Sequence, residues 1–426
     1  MPVRDRIGRE DFYNRLRIAT DGAAKWAGNV QSRREGVVQV HKGDLGRDGL
    51  RLQSTAFVTT FDRFAMPPLL VAISIDLDVP LAAVAGAAGA YFLAYGLMQP
   101  VWGLLSERIG IARAIRWAVL GGAVMTLSSA LVTDVTTLAL ARVGAGLCFS
   151  AGFPSTLIYV GETVPGSRRQ REVTRLMTGV ALGTALSTVT AGVLAETVGW
   201  RWVFGASAAL AGLTAWFVWS LPEVHRTRKP LAPWVTVGRI ARNKTALTLL
   251  VLVAVEGAGL LGAFTFVPAA VESAGWGPAA AAAPAALFGI AMLGAAGVIG
   301  RLSARVEASR FIAVGGAFGV VGCALVAATH SPWIAAASCL LLGLCWAAMH
   351  TSLQTWATQV APAERATVVA FFAGSLFAGT AVMTAIGGPL AEAGRFAVLF
   401  TSCAVLTGLV GVAGGFARSR WERGRG

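Results

Sequence analysis

The chain has 426 residues, of which 55% are hydrophobic and 14% charged; its mean hydropathy is +0.64 and its net charge +14. A soluble globule needs more polar surface than this composition supplies, which excludes soluble enzymes and free nucleic-acid-binding domains and points to the lipid bilayer as the solvent. The surplus positive charge does not reinstate nucleic acid as a partner, because the basic residues are spread by a membrane rule.

Residues 1–52 mix Arg, Asp, Glu and Gly without sustained periodicity and are expected to be a disordered cytoplasmic tail, with a short helix around Asp11 to Ile18. They hold no 7- to 15-residue apolar run, so no cleaved signal peptide is expected. A hydrocarbon core about 30 Å thick takes roughly 20 apolar residues per helix. Twelve such stretches follow, centred near residues 65, 92, 124, 149, 184, 211, 257, 288, 319, 345, 378 and 406. The expected class is an all-α membrane protein of 12 transmembrane helices. Residues 53–221 form one six-helix bundle, 222–243 a proline-containing cytoplasmic linker, 244–417 a second bundle and 418–426 a basic tail.

The termini and the loops after even-numbered helices hold 32 of the 36 Lys and Arg, whereas the odd-numbered loops hold only Arg201 and Arg395. This is the positive-inside pattern, and it predicts both termini in the cytoplasm and a multi-pass protein of the cell membrane. Cys148, Cys323, Cys339, Cys345 and Cys403 all lie in apolar segments without metal-ligand or disulfide spacing. They read as packing or lipid-facing residues.

The two sixes align. Gly103-Leu-Leu-Ser-Glu-Arg-Ile-Gly-Ile-Ala-Arg113 has an echo at Gly300-Arg-Leu-Ser-Ala-Arg-Val-Glu-Ala-Ser-Arg310, and Gly146-Leu-Cys148 returns as Gly343-Leu-Cys345, both 197 residues later. At an interval of 196, Gly183-Thr-Ala185 and Gly192-Val-Leu-Ala-Glu196 match Gly379-Thr-Ala381 and Gly388-Pro-Leu-Ala-Glu392. Duplicated six-helix halves that start on the same side are parallel repeats, with a solute path expected between them.

At this point a family resemblance enters. Gly103 to Arg113 resembles the loop 2-3 signature of the major facilitator superfamily: a glycine, an acid four residues on, a basic residue next and a second glycine two later. Arg142-Val-Gly-Ala-Gly146 is similar to the family's fourth-helix signature, and Gly387-Gly388-Pro389 to its eleventh helix. The likeness covers about residues 53–417. Glu107 stands for the usual Asp, Ile111-Ala112 for a basic pair, and Thr184 for the proline of drug/proton antiporters. The resemblance implies a conformational latch at Gly103, Glu107, Arg108 and Gly110. Arg108 and Arg113 are placed to pair with Glu162 at the inner end of the fourth helix.

Ionisable side chains at bilayer depth cost on the order of 2.5–3.5 kcal/mol each by insertion scales, which makes each a candidate for function. Asp62 and Arg63 lie in the first predicted helix, Arg142 in the fourth, Glu256 in the seventh and His350 in the tenth. In the resembled fold these helices line the central cavity. A buried carboxyl disfavours its charged form and so suits proton uptake and release; Asp62 is the first candidate and Glu256, before Gly257-Ala-Gly259, the second. The alternative for Asp62 is a fixed ion pair with Arg142, although the expected depths leave a gap between them. Adjacent residues point about 100° apart, so Asp62 and Arg63 serve different surfaces. Trp346, His350 and Gln354 share one helical face, as do Tyr91, Tyr95 and Gln99, which wall the cavity or pack on the eleventh helix.

The expected function is therefore secondary active transport of a small organic solute by alternating access, with protons and the lipid bilayer as partners. Proton-coupled efflux is set against uptake symport and against a non-transporting sensor. No enzyme constellation, metal cluster or cofactor is expected, and no nucleotide-binding signature suggests ATP. Nucleic acid is not a partner, and function does not require an oligomer.

Overall fold

The computed structural model describes residues 45–224 and 233–424. By its contacts the chain divides into two units, Met1–Asp48 and Gly49–Gly426, and apart from the first residues of α1, Gly46–Asp48, everything below concerns residues of the second. Twelve helices are long and apolar enough to cross a membrane. They are α1 (Gly46–Asp76), α2 (Leu81–Ser106), α3 (Ile111–Leu131), α4 (Val135–Thr163), α5 (Gly166–Thr197) and α6 (Trp200–Val218), then α7 (Lys244–Ser273), α8 (Pro278–Leu302), α9 (Ala308–Ala328), α10 (Pro332–Val360), α11 (Pro362–Glu392) and α12 (Phe396–Arg423).

Their midpoints lie within a few residues of the predicted centres, because a helix in lipid must satisfy every backbone group internally and so follows the apolar run. The ends differ. Helix α1 begins at Gly46, inside the expected tail, and α12 runs to Arg423, through the expected basic tail. The short helix expected at Asp11 to Ile18 lies outside the described residues. Within the expected linker, Pro233–Arg242 is helical. Its Arg239 pairs with Glu364 at the start of α11 at 3.1 Å. Large apolar side chains such as Leu131, Trp216, Trp333 and Val412 are exposed around the outside, a surface only hydrocarbon suits.

The sequence repeat is a repeat of contacts. Gly146 of α4 lies against the Tyr91 carbonyl of α2, and Gly343 of α10 lies in the same way against the Phe288 carbonyl of α8. Gly183 of α5 meets the Phe57 carbonyl of α1, and Gly379 of α11 meets the Ala254 carbonyl of α7. Without a hydrophobic drive between helices in lipid, such close backbone approach is what holds them.

The halves join through α2 on α11 and α5 on α8. Gly192 packs on Pro278 and Ala282, and its repeat Gly388 packs on Ala82 and Ala85. These contacts close the end bearing the odd-numbered loops. At the other end a Cβ at Gly103, Gly294, Gly297 or Gly300 would meet open space.

Adding a methyl group where a carbonyl already sits overpacks the joint. Gly183→Ala and Gly379→Ala should each cost about 1–3 kcal/mol, seen as a lower melting temperature in detergent. Gly161→Ala, with nothing near its Cα, should leave it unchanged.

Candidate functional site

Among the described residues two buried pairs of ionisable side chains occupy the interior, one in each half, on corresponding helices. In the first half Asp62 of α1 and Arg142 of α4 are both fully buried and form a bidentate pair, Nη2 to Oδ2 at 2.7 Å and Nη1 to Oδ1 at 3.1 Å. Thr126 of α3 and Ser207 of α6 also donate to Oδ1, at 2.8 and 3.2 Å. The guanidinium lies 4.5 Å from the Tyr91 ring and 4.9 Å from Phe204. Four helices thus meet on one carboxylate whose acceptor capacity is used, and a fifth, α2, sets Tyr91 on its arginine.

The expected depth gap between Asp62 and Arg142 is corrected here. Because α1 starts at Gly46 rather than near 53, its midpoint shifts toward the start of the chain, and Asp62 stands at mid-span within reach of the arginine.

In the second half Glu256 of α7 and His350 of α10, expected as separate candidates, come together, Nδ1 to Oε1 at 3.2 Å. Glu256 is fully buried and its Oε2 has no hydrogen-bond partner. The imidazole stacks on Trp346 at 3.8 Å and leans on Phe372 at 5.3 Å. Each partner sits at the edge of a π-helical turn, Gly257–Leu261 in α7 and Trp346–His350 in α10. Such turns interrupt the regular hydrogen-bond ladder and recur at functional sites. The glycines after Glu256 serve packing: Gly257 meets α11 at Leu376, and Gly259 meets α12 at Thr407.

The remaining residues divide. Arg63 points away from Asp62, as the helical angle requires, and lies among Phe64, Tyr95 and Phe377 at 5.0, 5.2 and 5.2 Å. Tyr95 packs edge-on against Phe377 of α11 at 4.7 Å, so both alternatives for the α2 stripe hold, Tyr91 serving Arg142 and Tyr95 serving α11. Gln99 is buried in α2 and Gln354 half-buried in α10; among the described residues no hydrogen bond joins Gln354 to the Glu256–His350 pair.

At the open end the Gly103–Arg113 segment is mostly helix. The helix that includes α2 continues to Ile109, so Glu107 lies in its last turn rather than beyond it, and only Gly110, at φ +100°, breaks the chain. The side chain of Glu107 lies outside the described residues, and Arg108 is exposed. Arg113 pairs with Glu223 at 3.9 Å, where Glu162 was the expected partner. Glu223, not among the expected site residues, accepts from the backbone N–H groups of Ala112 and Arg113 at 3.1 and 3.0 Å. A carboxylate at the start of α3 is favoured by the helix dipole. In this conformation the segment is tied to the end of α6 within its own half. The visible signal was an acid just past a helix end, which needs the fold to find its partner.

The closed end has a device of its own. Glu196, ending α5, accepts from the Ala279 N–H at the start of α8 at 2.8 Å. Its repeat Glu392, ending α11, accepts from the Ala82 N–H at the start of α2 at 3.3 Å. Each carboxylate bridges the halves. Beside Glu392 a cavity of about 420 Å³ is lined by Ser74, Leu81, Glu272 and Ser273 among others.

Among the described residues, twelve apolar helices in two repeated halves, joined through α2 on α11 and α5 on α8 around buried ionisable pairs, define a multi-pass membrane transporter. Residues 54–377 match the family profile of the Major Facilitator Superfamily, and the chain belongs to that family of secondary transporters. It is 31% identical over 268 residues to a probable transporter of Streptomyces coelicolor, covering 58% of this chain and 61% of that one. It is 32% identical over 119 residues to the uncharacterized MFS-type transporter EfpA of Mycobacterium tuberculosis, covering 27% of this chain and 22% of that one. These matches therefore span less than two thirds of either relative. Among solved structures, the transporter PepTSo of the POT family superposes with a TM-score of 0.73 at 13% identity, covering 88% of this chain and 98% of that one. The nucleoside transporter NupG superposes at 0.68 and 15%, covering 86% and 98%. These likenesses show the fold.

Breaking a buried pair leaves an uncompensated charge, at a cost of about 3–5 kcal/mol. Asp62→Asn and Arg142→Met alone should each lower the melting temperature sharply, and the apolar double variant Asp62→Leu, Arg142→Met should recover most of the loss. A double variant no more stable than the singles would mean that the pair is not the joint described.

Proposed function

We propose that this chain is a proton-coupled secondary transporter of the cytoplasmic membrane that exports a small organic solute by alternating access, with both termini in the cytoplasm. The observation that carries proton coupling is the Glu256–His350 pair. With one proton shared, the pair is imidazolium and carboxylate, net neutral; without it, one negative charge remains. Enclosing a neutral pair is far cheaper than enclosing a bare charge, so closure of the halves selects the protonated form and opening releases it. Asp62, saturated by Arg142, Thr126 and Ser207, is read as a fixed joint.

Orientation and direction rest on other support. We read as the parted end that of the even-numbered loops, where the basic residues concentrate and Gly103, Gly294, Gly297 and Gly300 face open space. The positive-inside rule makes that end cytoplasmic, and the conformation is then inward-open, able to take solute from the cell. The likeness of the Arg142 signature to that of efflux permeases favours export. Glu196 and Glu392 act as an outer latch, made when the outer end is closed and broken when it opens.

Purified protein in liposomes with an imposed pH gradient tests the coupling against a panel of cationic dyes, antibiotics and metabolites. Glu256→Gln should abolish gradient-driven flux while leaving counterflow exchange. Unchanged driven flux would take the pair out of the proton path, and flux running with the proton rather than against it would make the protein an uptake symporter.

The latch makes a separate prediction. A carboxylate at a helix N-terminus contributes about 0.3–1 kcal/mol, so Glu196→Gln with Glu392→Gln should shift the balance toward the outward-open form by about 3- to 30-fold. A cysteine placed at Ser273, in the outer cavity, should then react faster with a membrane-impermeant maleimide. An unchanged rate would show that the two carboxylates do not hold the outer end.

A further inference from the structure

Arg63 belongs to neither buried pair. Among the described residues it has no carboxylate partner; its Nε is buried with no hydrogen-bond partner, its Nη2 reaches Thr60 Oγ1 at 3.4 Å, and the Tyr95 hydroxyl also takes a hydrogen bond from the guanidinium. What surrounds it is aromatic: Phe64 of α1, Tyr95 of α2 and Phe377 of α11. Ring faces attract a guanidinium but do not accept its N–H groups as a carboxylate would, so with Thr60 and the Tyr95 hydroxyl as neutral acceptors the five donors are only partly used.

Its position is between the two halves. Phe64 packs against Phe264 of α7 at 5.4 Å and Phe288 of α8 at 6.5 Å, and from there to Leu70 the residues of α1 are buried in the closed end. Arg63 is the last residue before that seal, half-buried, with helices from both halves beside it. The ring contacts continue from Phe288 to Trp346 at 6.0 Å and from Trp346 to His350. One aromatic layer thus joins Arg63 to the Glu256–His350 pair.

A cation at this depth without a counter-ion is costly, and an aromatic cage with unused donors fits a counter-ion that arrives and leaves. We propose that Arg63 anchors the carboxylate of a planar organic anion, the guanidinium taking both oxygens while Phe64, Tyr95 and Phe377 hold the planar part. This deepens the transport reading and depends on it for passage of the anion, but not for its binding.

Charge-inverted probes of one shape test it: 1-naphthoate against 1-naphthylmethylammonium, and fluorescein against rhodamine 123. Their binding to the full chain in detergent is measured by calorimetry or fluorescence polarisation. The anionic member of each pair should bind wild type at least tenfold tighter. Arg63→Gln should weaken the anion by about 10- to 100-fold and leave the cation unchanged or tighter, with Arg63→Lys between, since lysine keeps the charge and loses the planar fork. Melting curves of the variants confirm folding; where a variant fails to fold, the wild-type preference within each pair decides. Cations binding as tightly as anions, no saturable anion binding, or an unchanged anion affinity in folded Arg63→Gln would each overturn the proposal. Arg63-dependent binding of naphthoate without its movement across liposomes would overturn the transport reading and leave the site standing. Transport of other solutes without naphthoate binding would overturn this inference alone.

Discussion

The constraint on which the rest depends is the cost of charge in hydrocarbon. Five ionisable side chains stand at mid-depth in this chain, Asp62, Arg63, Arg142, Glu256 and His350, and their arrangement follows from what each must do to be there. Asp62 and Arg142 cancel one another in a bidentate pair with two hydroxyl donors added. Glu256 and His350 meet through a single contact, with one carboxylate oxygen left over. Arg63 has rings in place of a counter-ion. The three solutions differ in how much bonding capacity is spent, and unspent capacity is what ligands and protons can use.

Around these charges the duplicated backbone is a frame. Glycines recur at one interval because the contacts recur: Gly146 and Gly343, Gly183 and Gly379, Gly192 and Gly388 each remove a side chain where another helix arrives. The same interval carries Glu196 to Glu392, and with it the carboxylate that caps a helix of the opposite half. A repeat whose two copies each reach across to the other half gives a closed end with twofold character. Packed contacts of this kind have discrete arrangements rather than a continuous range, so the two ties at this end would be made or broken together.

The sequence made the fold legible because apolar length and basic-residue asymmetry are properties of single segments. Twelve stretches could be counted without knowing how any two meet. The polar interior was legible as a set, since Asp62, Arg63, Arg142, Glu256 and His350 are conspicuous in apolar runs, but not as pairs. Pairing depends on rotation and depth: misplacing the start of α1 by seven residues sufficed to set Asp62 apart from Arg142. Glu223 was hidden for a different reason. It lies past the end of α6 in a charged stretch, where an acid is ordinary until the start of α3 is seen beside it.

The halves, alike in backbone, are unlike in what they hold. In the first, α1, α3, α4 and α6 converge on a saturated carboxylate, with the Tyr91 ring of α2 stacked on its arginine, and the result is a body with little freedom at its centre. In the second, π-helical turns loosen α7 and α10 at the level of Glu256 and His350. A transporter that moves one half against the other gains from such asymmetry, because a rigid half supplies a fixed reference while a less regular half can rearrange. Duplication supplied two equal bodies, and the exchange of an arginine-type pair for an imidazole-type pair, 11 residues farther along α10 than the repeat of Arg142 would fall, is what makes them unequal. Arg63 stands between them, in the first half by sequence and against α11 of the second by contact, so a ligand held there would touch both bodies at once and its binding would bear directly on their relative position.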